Sequence, residues 1–267
     1  MIQAKRFPFD FFYMLVSLLL SVIIVHGIYT AAVRPAAEAV KQSWVERWKI
    51  EPTFAPQQSV LVIVHDHEPE ACFILTLWAG FIVGYRWYLV MRERALLETE
   101  YIGLKPGQVI FPEDVREFSR SIEALPDEQQ RKFLPRALKT TMNRFGATRS
   151  VQHSASAARD ECEFEASRLD SELSLIRFSV WAIPAVGFVG TVRGIGAALQ
   201  QAQRAAAGDV TGVTQGLGIT FNSTLVALSL CIIVMFFLHQ LQLSQDRLIL
   251  EIKSYIDDHL IRHLRER

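Results

Sequence analysis

Thr191 and Thr224 are hydroxyl side chains set in segments apolar enough to cross a bilayer, GFVGTVRGIG (187–196) and LGITFNSTLVALSL (217–230). Thr191 lies nine residues before Gln200 and Thr224 nine after Gln215, so at a rise of about 1.5 Å per residue two helices would hold both hydroxyls at one depth. A hydroxyl accepts from a protonated carboxyl and donates to a charged one, which suits a carrier that alternates between the two states. Thr220, Asn222 and Ser223 extend the same polar lining. A ring of such groups in an oligomer would form a hydroxyl-lined constriction.

Arg193 and Asn222 also match in depth, each seven residues from the same glutamines. Two positions along a helix is about 200°, so Arg193 cannot share the face of Thr191. An arginine at that depth costs about 3 kcal/mol on insertion scales. Two readings stay open: a polar lock, mated by Asn222 or by a carboxylate of another chain, or an anchor that snorkels to the interface.

Steps of three and four residues connect Pro184, Gly187, Thr191, Gly194 and Ala198, and likewise Thr220, Thr224, Ala227 and Cys231. Small faces of this kind let helix backbones approach closely in lipid, with Gly190 adding to the first. None of the apolar spans holds Asp or Glu in its interior. If ions move here, the carboxylate is expected from another chain.

The elements that must position these groups are four nearly uncharged runs, Phe11 to Ala32, Ala71 to Val90, Phe178 to Leu199 and Leu217 to Leu238. Each is long enough for a hydrocarbon core of about 30 Å. The fold expected is an all-α membrane protein with four transmembrane helices, or three if the first is a cleaved signal, YTAA being a small-residue cleavage candidate. Basic residues near the span ends (Lys5, Arg6, Arg92, Arg94, Arg177, Arg247, Lys253) place both termini and the 92–175 segment in the cytoplasm. The organisation follows: an N-terminal span (1–32), a periplasmic loop (33–70), a second span (71–91), a cytoplasmic helical domain (92–175), a two-span channel core (176–240) and an amphipathic tail helix (241–267).

The periplasmic loop holds a helical continuation, PAAEAVKQSWVERW, and a β-branched run, SVLVIV, with the composition strands favour, ended by His65-Asp66-His67. Those three residues are too few for a metal site. In the cytoplasmic domain LKPGQ reads as a turn, and Pro112-Glu113-Asp114 and Pro126-Asp127-Glu128 as helix starts. From Ser150 to Arg177 neither proline nor glycine interrupts the chain, so a helix of about 50 residues is expected to run into the third span and extend roughly 40 Å into the cytoplasm. Asp160, Glu161, Glu163, Glu165, Asp170 and Glu172 on it form either a solvated face or a cation-attracting one. Leu248, Ile249, Ile252, Ile256, Leu260, Ile261 and Leu264 give the tail an apolar stripe for neighbouring helices or subunits. Cys72, Cys162 and Cys231 read as small apolar filler.

With 28 basic and 28 acidic side chains in 267 residues, the charge balance points to no nucleic-acid partner. No phosphate-cradling loop, nucleophile elbow or metal-ligand spacing occurs, so neither an enzyme nor a bound cofactor is expected.

IPAVGFVGTVRGIGAAL, a short polar loop and LGITFNSTLVALSL together resemble the MotA/TolQ/ExbB proton-channel family, whose members carry a proline and GTVxG in one span and a threonine-bearing polar stretch in the next. The likeness covers about residues 165 to 250. It implies a homo-oligomer, a pentamer, around two copies of a single-span partner similar to ExbD, TolR or MotB, whose membrane aspartate carries the ion. Thr191 and Thr224 would line the path and Pro184 would match the family proline, in the bacterial inner membrane and in contact with its lipid. Ion flow would then turn the pentamer and deliver force to the envelope.

Arg193 stands where ExbB-like members carry tryptophan in GTVWG, and four spans with a long first loop fit neither the three-span type nor the flagellar-stator type. The polar TFNST leaves Na+ beside H+. The alternative is a non-conducting oligomeric scaffold or sensor of the same fold, with Arg193 as a plug.

Overall fold

The computed structural model describes residues 6–51, 54, 59–103 and 108–266. The LKPGQ turn and Lys5 fall largely outside them. Every regular element among them is helical, and the chain divides into two compact units. Four helical runs are long and apolar enough to span a membrane: Phe9–Ile50, His67–Glu98, Val151–Gln200 and Thr211–His263.

The first unit comprises the chain up to Val83 together with Leu175–Leu238. Helix α1 (Arg6–Ile28) continues through a widened π-turn, Tyr29–Val33, into α2 (Arg34–Ile50). The widening comes just before Pro35, which has no N–H to give to the carbonyl four residues back. The expected helical continuation is therefore present. The β-branched run instead folds as a short helix, α3 (Val60–Val64): an isolated strand has no ladder to join, whereas one helical turn satisfies its own backbone.

Helix α4 (His67–Arg94) begins four residues before the expected start at Ala71. Its first turn carries Glu68 and Glu70, favourably placed for the helix dipole, and Pro69, which fits where N–H groups lack partners. α1 is tied to α4 by Tyr13 Oη donating to the Phe81 carbonyl and Trp78 Nε1 donating to the Met14 carbonyl, both at 3.0 Å. The remaining long helices are α9 (Ser174–Gln200) and α11 (Thr211–His259), joined through a short α10 (Ala202–Ala206). Phe9, Phe12, Ile23, Trp181, Phe188, Phe221 and Ile232 remain exposed on this unit. Water would not tolerate so continuous an apolar surface; lipid or sister subunits would.

The second unit comprises Gly84–Ser174 and the chain from His239 onward. It contains α5 (Val115–Glu123), a single turn α6 (Asp127–Gln130), α7 (Phe133–Thr148) and α8 (Val151–Ser171). The expected start at Pro112 to Asp114 leads directly into α5, whereas the one at Pro126 yields only α6. α7 buries Leu134, Leu138, Met142 and Phe145 along one stripe and ends at Arg149, whose φ of 53° is left-handed. The run from Val151 to Gln200 is helical as expected, apart from a break in regular bonding at Glu172 and Leu173.

The acidic stretch of α8 is neither a free solvated face nor an open cation funnel. Arg136 bridges Glu161 at 2.5 Å and the buried Glu165 at 2.7 Å, while Arg168 reaches Glu165 and Glu172, and Arg86 holds Glu172 at 2.7 Å. The tail stripe packs inside this unit. Leu248, Ile252, Ile256, Leu260 and Leu264 are buried, and Tyr255 Oη donates to the Thr99 carbonyl at 3.0 Å.

Candidate functional site

The site is the seam between α9 and α11. A Cβ added at Gly187 would collide with the Ala227 methyl, and one at Gly194 with the Thr220 hydroxyl. At Gly190 it would come within 2.6 Å of Ser223 Cβ, and at Gly216 within 2.7 Å of the Ala198 backbone nitrogen. Four glycines thus allow two backbones to meet at a distance that any side chain would open. Gly196, the fourth glycine of GFVGTVRGIG, faces open space and takes no part.

Within this seam Thr191 and Thr224 share a hydrogen bond between their hydroxyls. Thr191 also lies 3.2 Å from the Gly187 carbonyl, and Thr224 3.2 Å from that of Thr220. Two protons serve three contacts, so one hydroxyl donates to the other, which donates to its own helix. Reversing the order gives an equivalent arrangement. Thr220 is buried and donates to the Gly216 carbonyl at 3.0 Å, with the Thr191 carbonyl at 3.4 Å. Ser223 is fully buried and its hydroxyl has no partner among the described residues.

Pro184 lies within α9 and removes the N–H that would have bonded the Val180 carbonyl. Cys231 of α11 fills that role: its Sγ lies 3.4 Å from the Val180 oxygen. Cys72 of α4 likewise lies 3.6 Å from the Ile183 carbonyl. Both residues were read as filler, yet they serve the backbone around the proline kink, as membrane helices require when a bond is lost.

Arg193 settles between its two readings in favour of a polar mate. Nη2 donates to Glu68 Oε2 at 2.7 Å, not to Asn222, and the carboxylate belongs to this chain. Glu68 is 8% exposed. The expectation that any acid must come from another chain is corrected to that extent, because α4 starts early enough to carry Glu68 into the packed bundle. The signal was present in HEPEACFIL: acids and a proline directly before an apolar run mark a helix start.

Glu70, also buried, accepts from Arg34 at 2.5 Å and meets His26 Nδ1 at 2.7 Å. His67 bonds Arg34 at 2.7 Å, and His65 bonds Lys41 at 2.6 Å. These histidines are engaged in ion pairing around the helix ends.

Residues 126–254 match the model of the MotA/TolQ/ExbB proton channel family. The chain belongs to this family through that segment. The matched region contains the whole α9 and α11 seam, with Thr191, Thr224 and all four packed glycines. No curated protein and no solved structure matches the chain. Family membership and four apolar helices together make it a membrane protein of the proton-channel type.

Proposed function

We propose that the chain is the oligomeric subunit of an inner-membrane ion-driven motor. It assembles as a pentamer around two copies of a single-span protein of the ExbD, TolR or MotB type, whose membrane aspartate carries the ion past Thr191 and Thr224. The observation that carries this reading is the hydrogen-bonded hydroxyl pair set in a glycine-lined seam. Because the pair can reverse its donor order at little cost, it can present either a donor or an acceptor to a passing carboxyl. Small residues along the seam permit close contact with a helix that must also slide.

Within this reading the polar ends of the helices face the periplasm and unit 2 faces the cytoplasm. Ion flow turns the subunits about the partner and delivers force to the envelope. The ion is H+, with Na+ as the competing carrier because hydroxyl and amide oxygens at Thr220, Asn222 and Ser223 can replace part of a hydration shell.

The test is potential-driven acidification of vesicles that hold the chain and its partner. Thr191→Val and Thr224→Val should each lower the rate at least tenfold, as should the partner's aspartate replaced by asparagine. Unchanged flux in both threonine variants would refute the reading and leave a non-conducting scaffold.

A further inference from the structure

Two buried oxygens without partners converge on the backbone of Gly190. One side is supplied by Glu68, whose Cγ lies 3.2 Å from the point a Cβ at Gly190 would occupy. The other is Ser223, whose Oγ lies 2.8 Å from the same point and is 0% exposed. Ser223 Oγ has no hydrogen-bond partner among the described residues, and of the two Glu68 oxygens only Oε2 is engaged, by Arg193. Ser223 precedes Thr224, so this space opens beside the hydroxyl pair.

A buried hydroxyl left unpaired costs about 1–3 kcal/mol and calls for an occupant or a function. Gly190 keeps the space clear, since any side chain there would fill it. The charged group facing Glu68 from α9 is Arg193, and α11 contributes only the uncharged Ser223 and Thr224. On α4 itself Glu70 is already held by Arg34 of α2 and His26 of α1. Arg193 has a side chain 46% exposed on a long flexible stem, whereas Glu68 is fixed in the bundle. Of the two members of the ion pair, only the arginine is free to leave.

We infer that Glu68 and Ser223 form a binding site for a monovalent cation, built by this chain itself, in which Arg193 is the exchangeable counter-charge. With a proton, the added hydrogen sits on Glu68 Oε1 and is donated to Ser223 Oγ. The carboxyl is then neutral, and the guanidinium loses the charge that held it. With Na+, the same two oxygens supply part of the shell and Arg193 is displaced. The site deepens the motor reading and rests on it: the chain holds an acid of its own beside the path, in series with the partner's aspartate.

The test uses the full chain with its partner in lipid vesicles. Glu68→Gln, close in shape, should lower potential-driven flux at least tenfold, and Ser223→Ala several-fold. The exchanged pair, Glu68→Arg with Arg193→Glu, should recover the thermal midpoint but not the flux. Full recovery of flux by the exchanged pair, or normal flux in Glu68→Gln, would overturn the site and leave the pair as a brace between helices.

Infrared difference spectra of the same complex give a readout that does not depend on conduction. A carboxyl band that responds to acid identifies H+, one that responds to Na+ at fixed pH identifies sodium, and the band should vanish in Glu68→Gln. If the band is present but no sample conducts, the site stands and the motor reading falls. If the wild type conducts and the band is unchanged in Glu68→Gln, the site falls and the motor reading stands.

Discussion

At the scale of single residues, the kink at Pro184 shows how a lost backbone bond is repaired. The Val180 carbonyl would be orphaned in an apolar surrounding, and the Cys231 thiol reaches it from the next helix at 3.4 Å. Membrane hydrogen bonds average about 0.6 kcal/mol. We therefore expect Cys231→Ala to lower stability in detergent by about that amount, and to do so less in a Pro184→Ala background, where residue 184 regains its N–H. A double-mutant cycle on the unfolding midpoint measures the coupling, which should be near zero if the thiol is mere filler. In the second unit, burial pushes the Cys162 thiol up to about 11. The folded state thus favours the neutral thiol. Its contribution to stability is intact below pH 9 and is lost as the pH climbs toward 11. Maleimide labelling at pH 8 should be far slower in the folded chain than after unfolding.

At the scale of the helices, the seam of α9 and α11 depends on the absence of Cβ atoms at four positions. Gly194→Ala would drive a methyl into the Thr220 hydroxyl and the Gly216 carbonyl and should cost about 1–3 kcal/mol. Gly196→Ala, two residues on, meets nothing and should be neutral or stabilising by up to about 1 kcal/mol, since alanine favours the helix. Equal effects from the two substitutions would remove close packing as the reason for the glycines. This seam was legible in the sequence because helical spacing is local: steps of three and four residues, counted inward from Gln200 and Gln215, place Thr191 and Thr224 together without knowledge of any other contact. The mate of Arg193 was not legible in the same way. Glu68 is 125 residues distant, and the depth match favoured Asn222, which lies on the neighbouring helix. Only the true start of α4 at His67 brings the acid within reach, and helix boundaries are where periodicity is weakest because charged first turns read as loop. The β-branched run at 59–64 misled for a related reason, since composition favours a strand only when a partner strand exists.

At the scale of the whole molecule, the exposed apolar residues of α1, α9 and α11 describe a protein that does not function alone in water. Removal of the partner should leave an oligomer that inserts in membranes but conducts nothing, because in the proposed motor the transported ion rides on the partner's aspartate. The central claim is that the Thr191 and Thr224 pair lines an ion path. The most direct measurement is potential-driven acidification in vesicles containing the chain with its single-span partner, comparing wild type, Thr224→Val and the partner's aspartate replaced by asparagine. The account predicts robust uptake in the wild type and a loss of at least tenfold in both variants. Undiminished uptake in Thr224→Val, with the partner variant silent, would contradict it by showing that ions pass without the hydroxyl pair.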